Sequence, residues 1–286
     1  MLATRFAPSP TGRLHKGHAF SALTAWTVAK AAGGRFVLRI EDIDPTRCRP
    51  AYEAGILEDL AWLGLDWKAP VRRQSDHLSD YAAVIENLRA RGLLYRCFRT
   101  RKEILSAIGD APHGAMEAAR PGPHSADEEA HLLASGAPFA WRLSLDQARK
   151  TLGEAAWTGL SFVEEGEGPN GQAGVVAVDP EAAGDVVLAR KDTGVAYHLA
   201  VTHDDAIQGI THVIRGHDLF QATHVQRLIQ TLMGWPAPTY RHHRLLAGPD
   251  GRRYAKRDRS ITLAELRAGG LTAAALRAEL GFSSAG

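Results

Sequence analysis

The 286 residues include only two cysteines, Cys48 and Cys97, too few for a disulfide framework or a cysteine-rich zinc site. A reducing, cytoplasmic setting is therefore expected. No run of about 18 apolar residues occurs, and Arg5, Pro8 and Pro10 interrupt any signal-like stretch at the start. Both absences argue against a membrane partner. Neither sign of charge is in excess: 34 basic against 32 acidic residues leave +2, a balance that neither demands nor excludes RNA. Internal repeats and low-complexity tracts are missing too. What is present is 45% hydrophobic and 23% charged residues, enough for one large domain or two modest ones with a real core.

The apolar pattern predicts a short strand over Leu2–Ala7, broken by Pro8, Pro10 and Gly12. A helix follows from Gly17 or His18 to Ala32, stopping at Gly33-Gly34. A second strand, Arg35–Ile40, runs into the polar turn Glu41–Pro45. Strand, helix and strand within about 40 residues form a βαβ unit, which implies a parallel sheet. Two amphipathic helices come next, one with Tyr52, Ile56, Leu60 and Leu63 on a face, the other with Tyr81, Val84, Ile85 and Leu88. The stretch from about Tyr95 to Pro180 has weak periodicity and reads as an insertion with loops. Strands are then expected at Val186–Arg190, Tyr197–Thr202 and Gly209–Gly216, a helix at Phe220–Met233, and helical structure at Leu263–Leu280 broken at Gly269-Gly270.

The segment Arg5–His18 stands where the first strand of a parallel sheet meets its helix, the position at which such sheets bind nucleotides. His15 and His18 lie three apart on a first helical turn, and Gly17 between them removes a side chain where a phosphate or adenine approaches. Alone, that motif would read as a capped helix start with two exposed histidines. Pro249–Asp258 carries Arg252, Arg253, Lys256 and Arg257 after a Pro-Asp-Gly turn; it suits a cationic lid over a departing polyphosphate, though alone it reads better as a solvated basic loop. Between them, Leu38–Asp44 sets carboxylates at a strand end and Val213–Asp218 sets Arg215 in the equivalent place, so both converge on one crevice.

These four elements together and in order resemble the catalytic half of a class I glutamyl-tRNA synthetase. Arg5–His18 looks like its phosphate-binding signature, and Arg253-Tyr254-Ala255-Lys256-Arg257 looks like its mobile lysine loop. Tyr197–Ala200, Asp204-Asp205, Ile210–Gly216 and Gly234-Trp235 also resemble blocks of the family. Only residues 258 to 286 follow the lysine loop, so the resemblance narrows to the truncated branch that glutamylates queuosine in tRNA(Asp). It implies an α/β fold, the class I aminoacyl-tRNA synthetase Rossmann-like parallel sheet with an inserted subdomain, a short helical C-terminal segment and no anticodon-binding domain. Residues 1–95 and 185–245 would form the two halves of the catalytic domain, 96–184 the insertion, and 246–286 the lysine loop with its short helices.

The resemblance also implies roles. Glu41 should hold the α-ammonium of L-glutamate, Arg5 and Arg215 its carboxylates, and Tyr197 should add a phenolic bond. The segment Arg5, Phe6, Ala7, Pro8 and Ser9 should line the pocket. His15, Gly17 and His18 should contact ATP, which brings Mg²⁺; Leu245 should meet adenine, and Arg253 and Lys256 the phosphates. Arg253 and Ala255 replace a lysine and a serine of the usual loop, removing a hydroxyl contact. Zinc is expected to be absent: relatives often hold one through a Cys-x-Cys pair, which here reads Cys97-Phe98-Arg99, and Cys97 with His113 or His124 makes no convincing set. Tyr95–Lys102, basic with interleaved aromatics, reads as an RNA contact or as a solvated helix start, with Arg72-Arg73, Arg252 and Arg259 extending a footprint. The implied activity is glutamate activation and transfer to queuosine-containing tRNA(Asp) by a monomer. The alternatives are a minimal enzyme charging the terminal ribose and a non-catalytic tRNA-binding paralogue.

Overall fold

The computed structural model describes residues 1–100, 103–104, 120–190, 194–246 and 261–282. β1 (Ala3–Phe6) pairs in parallel with β2 (Arg35–Ile40), Ala3 opposite Arg35 and Phe6 opposite Leu38, and β2 pairs with the two-residue β3 (Arg72–Arg73). α1 (Lys16–Ala31) makes the crossover between β1 and β2. It closes at Gly33, whose φ of 58° lies in the left-handed region that a side chain disfavours. α2 (Pro50–Trp62) and α3 (Leu78–Ala90) bury the faces their periodicity predicts: Ile56 and Leu60 on one, Tyr81, Val84, Ile85 and Leu88 on the other.

The second half of the chain extends the same layer. β9 (His212–Gly216) lies beside β1, because Thr211 donates its N–H to Ala3 O at 3.0 Å and its hydroxyl oxygen accepts from Ala3 N–H at 2.9 Å. β9 pairs in parallel with β10 (Thr239–His243), which pairs in parallel with β6 (Ser161–Glu164), and β7 (Gly174–Ala177) closes that edge as an antiparallel hairpin with β6. A separate antiparallel sheet joins β4 (Leu94–Cys97), β5 (Ala140–Leu143) and β8 (Val187–Arg190). Strand pairing thus crosses residue 184 both ways: β6 and β7 join the second-half strands, and β8 completes the sheet of the insertion.

Tyr197–Thr202 is a correction to the strand expected there. It opens the helix α4 (Tyr197–Ile207), in which Leu199 to Asp205 are all buried. A helix enclosed on every side shows no amphipathic period, so a short apolar run of this kind cannot be told from a strand. β10 went unread for the converse reason. Its inward residues, Tyr240 and His242, are polar aromatics, and they hide the alternation. α5 (Phe220–Met233) has the predicted bounds, and the terminal helix is split at the predicted glycines into α6 (Leu263–Ala268) and α7 (Ala273–Glu279).

Two main cores result. Leu23, Leu38, Ile56 and Leu60 pack with Leu263 and Leu276 in one. Leu88, Leu143, Leu188, Leu199 and Leu228 join α3, α4 and α5 to the insertion in the other. Burial of such side chains contributes about 1.5–3 kcal/mol each. Among the described residues no helix is long and apolar enough to cross a membrane.

Candidate active site

The carboxyl ends of β1, β2 and β9 and the start of α1 enclose a cleft of about 660 Å³. Parallel sheets open at this edge, where strand-end loops diverge and helix N–H groups point outward. Arg5, Phe6, Ala7, Pro8, Ser9, His15, Gly17, His18, Glu41, Tyr197, Arg215 and Leu245 all line it, so the sequence-predicted site residues within the described chain are brought together. Arg253 and Lys256, and with them Arg252 and Arg259, lie outside the described residues. Of the residues that flank them, Leu246 lines the cleft, Thr262 bridges to His15, and Leu263 N–H donates to Leu14 O at 2.8 Å.

His15 and His18 do more than share a face. His15 is the N-cap of α1, its Nδ1 accepting from Gly17 N–H at 3.1 Å, while His18 Nδ1 accepts from His15 N–H at 3.2 Å. The rings sit 3.8 Å apart. This reciprocal cap fixes both imidazoles against the positive end of the helix.

Beneath the cleft lies a charge network that the sequence reading did not assemble. Arg39, fully buried, donates from Nη1 to Asp205 at 2.8 Å and to Gln208 at 2.9 Å, and from Nη2 to Glu41 at 3.0 Å. Arg5 Nε donates to both oxygens of Asp205, at 3.1 and 3.2 Å. Asp204 accepts from Arg72 at 2.9 Å, Gln74 at 3.0 Å and Tyr81 at 2.8 Å. Burial works against the charge of Asp205, but Arg5 and Arg39 outweigh it and hold the carboxyl below its ordinary range. For Glu41 the balance falls the other way: burial raises it, with Arg39 only partly offsetting. A usable signal existed, since an arginine inside a buried parallel strand demands anions, and Asp204-Asp205 were the available pair.

Arg215 is held differently. Its Nε donates to His242 Nε2 at 3.1 Å, Nη1 to Gln226 Oε1 at 2.9 Å and Nη2 to Thr223 Oγ1 at 2.7 Å. Among the described residues it has no carboxylate partner, so its charge is oriented without being neutralised. Burial and the nearby Arg215 push His198 down to about 4, and burial raises the Tyr197 phenol. Both groups are therefore neutral at physiological pH. An ammonium fits against Glu41, and carboxylates fit against Arg215 and Arg5.

Of Tyr95–Lys102, Arg101 and Lys102 lie outside the described residues, and Tyr95–Cys97 belong to a strand, not to the helix start that is one of the two expectations. Leu94–Cys97 is β4; Tyr95 is buried and donates to Asp185 at 2.8 Å, and Arg96 pairs with Glu129 and stacks 4.7 Å from Trp141. Among the described residues no group of three or more His, Cys, Asp or Glu side chains is arranged to hold a metal. Cys97 is buried, His124 pairs with Glu128 at 3.0 Å, and His113 lies outside the described residues.

Residues 1–152 and 167–281 match tRNA synthetases class I (E and Q), catalytic domain. The Glutamyl-Q tRNA(Asp) synthetase of Rhodobacter capsulatus is 45% identical over 285 residues, covering 98% of this chain and 100% of that protein. Glutamate--tRNA ligase 2 of Dinoroseobacter shibae is 39% identical over 283 residues, 96% of this chain and 60% of its own. The solved glutamate tRNA ligase from Elizabethkingia meningosepticum, in complex with its amino acid, superimposes with a TM-score of 0.70 at 30% identity, covering 90% of this chain and 52% of that one. The chain therefore spans about half the length of that solved ligase.

Proposed function

The chain belongs to the class I tRNA synthetases (E and Q) by its catalytic domain, and from that footing we propose that it activates L-glutamate with ATP and transfers it to queuosine in tRNA(Asp). The observation that carries the reading is one cleft holding a buried carboxylate, Glu41, and a guanidinium, Arg215, that has no carboxylate partner among the described residues, beside the capped N-terminus of α1. Those are the complements of an ammonium, a carboxylate and a polyphosphate.

In this reading Glu41 takes the α-ammonium, Arg5 and Arg215 the carboxylates, and Tyr197 a further oxygen, with the backbone from Arg5 to Ser9 walling the pocket. His15, Gly17 and His18 take the phosphates of ATP, whose Mg²⁺ enters as part of the substrate, and Leu245 meets the adenine. The α-carboxylate oxygen attacks the α-phosphorus, the bond to pyrophosphate breaks in line, and Lys256 and Arg253 match the departing charge. Positioning and charge stabilisation supply most of the acceleration. An acceptor hydroxyl then attacks the carbonyl carbon of glutamyl-adenylate and expels AMP. The acceptor is queuosine, in keeping with the name of the relative that aligns over its whole length.

The test is transfer of labelled glutamate to tRNA(Asp) with and without queuosine, each sample assayed both intact and with its terminal adenosine removed enzymatically. Label on the queuosine-containing tRNA alone is expected. Label that requires the terminal adenosine and ignores queuosine would instead establish a minimal tRNA-charging enzyme.

A further inference from the structure

Arg215 owes its orientation to an acceptor that exists in only one tautomer of His242. The guanidinium Nε–H points at His242 Nε2 across 3.1 Å, so that nitrogen must carry a lone pair and the ring proton must sit on Nδ1. His242 Nδ1 faces Glu164 Oε2 at 2.5 Å, and both side chains are fully buried. Burial holds the imidazole below its ordinary range and hence neutral.

The carboxylate is itself locked. Glu164 Oε1 accepts the backbone N–H groups of His242 and Gly166, each at 2.8 Å, leaving Oε2 to face the ring. Glu164 stands on β6, His242 on β10 and Arg215 on β9, three neighbouring parallel strands, so the relay runs straight across the sheet into the cleft. Residues 153–166 fall outside the family match, and Glu164 is among them.

We infer that Glu164 and His242 are positioning residues for glutamate: Glu164 sets the Nδ1–H tautomer of His242, whose Nε2 then aims the Arg215 guanidinium at a substrate carboxylate. The inference rests on the glutamate reading of the cleft. The three acceptors on Arg215, from His242, Gln226 and Thr223, are all neutral and occupy three of its five N–H bonds. The fork is therefore held in place while its charge stays available for the anion. A carboxylate partner would have oriented it equally well and cancelled that attraction.

Glu164→Gln separates this from a merely structural role. The two backbone N–H groups hold the amide oxygen where Oε1 was, so the amide NH₂ must face His242 Nδ1. The ring then carries its proton on Nε2, donor against donor at Arg215. His242→Gln is the second variant, since an amide oxygen near the Nε2 position accepts from Arg215 and has no tautomer to lose. The measurements are the ¹⁵N shifts of the His242 ring and glutamate-dependent ATP–pyrophosphate exchange in the presence of tRNA(Asp).

The wild type should show the neutral Nδ1–H form and Glu164→Gln the Nε2–H form. In Glu164→Gln the KM for glutamate should rise about tenfold while the KM for ATP stays within about twofold, the scale of losing one hydrogen bond to a charged group. The double variant should be no worse than His242→Gln alone. A wild-type Nε2–H ring, a reversed tautomer with unchanged KM for glutamate, or additive losses in the double variant would each overturn the proposal. Failure of the glutamate reading is seen separately, as wild-type protein that exchanges no pyrophosphate with glutamate while the tautomer still reverses; that outcome removes glutamate from the proposal.

Discussion

Arg5 and Arg215 bring the same charge to the cleft but are held in opposite ways, one by the carboxylate of Asp205 and the other by neutral acceptors. Glu41 faces them with its own carboxyl raised by burial. Only the ionised form can take an ammonium, so acidification should weaken glutamate binding at a pH above the ordinary glutamate value of 4.5. The expected result is a KM for glutamate that climbs as pH falls from about 7.5 to 5, with a smaller change in the KM for ATP. A KM for glutamate that does not climb on acidification more than the KM for ATP would mean that the Glu41 carboxylate does not meet the substrate. At this scale Glu41, Arg5 and Arg215 were legible because each closes a strand in a recognisable block. Arg39 and Glu164 were not, since their partners lie 166 and 78 residues away in sequence.

At the scale of elements, α2 and α6 meet around an acid held only by a long ion pair among the described residues. Asp59 is fully buried, both its oxygens lack a hydrogen bond among the described residues, and Arg267 comes no closer than 4.0 Å. Burial pushes its carboxyl up to about 6. A group raised in the folded state costs stability as pH rises from its unfolded value through its folded one, here from 3.8 to about 6. Asp59→Asn should therefore be more stable than the wild type at pH 7.5, by roughly 1–2 kcal/mol, and the gain should vanish near pH 4. Urea denaturation at the two pH values reads it; a gain that persists in acid would assign the effect to packing. Helices with one apolar stripe, such as α3, were legible from spacing, whereas α4, apolar and charged residues alike buried, looked like a strand.

For the whole molecule, the central observation is that Asp204 and Asp205 of α4 anchor side chains from the first half of the chain: Arg5, Arg39, Arg72, Gln74 and Tyr81. The two halves are tied through buried charge as well as through apolar packing. Arg39→Met should cost about 3–5 kcal/mol, because it leaves the buried Glu41 without its hydrogen-bonded cation and Asp205 with Arg5 alone, and the loss should appear in one cooperative transition. Unchanged stability in urea would show that the network orients the cleft without holding the halves together. The amino-acid sequence by itself determined the βαβ start, the helices with a single apolar face, the family blocks and twelve of the residues that line the cleft, because those signals are local in spacing and chemistry. Tertiary structure alone decided how the charges are matched, which tautomer His242 carries and which strands neighbour one another, because hydrogen bonds and desolvation depend on distances between residues that the chain sets far apart.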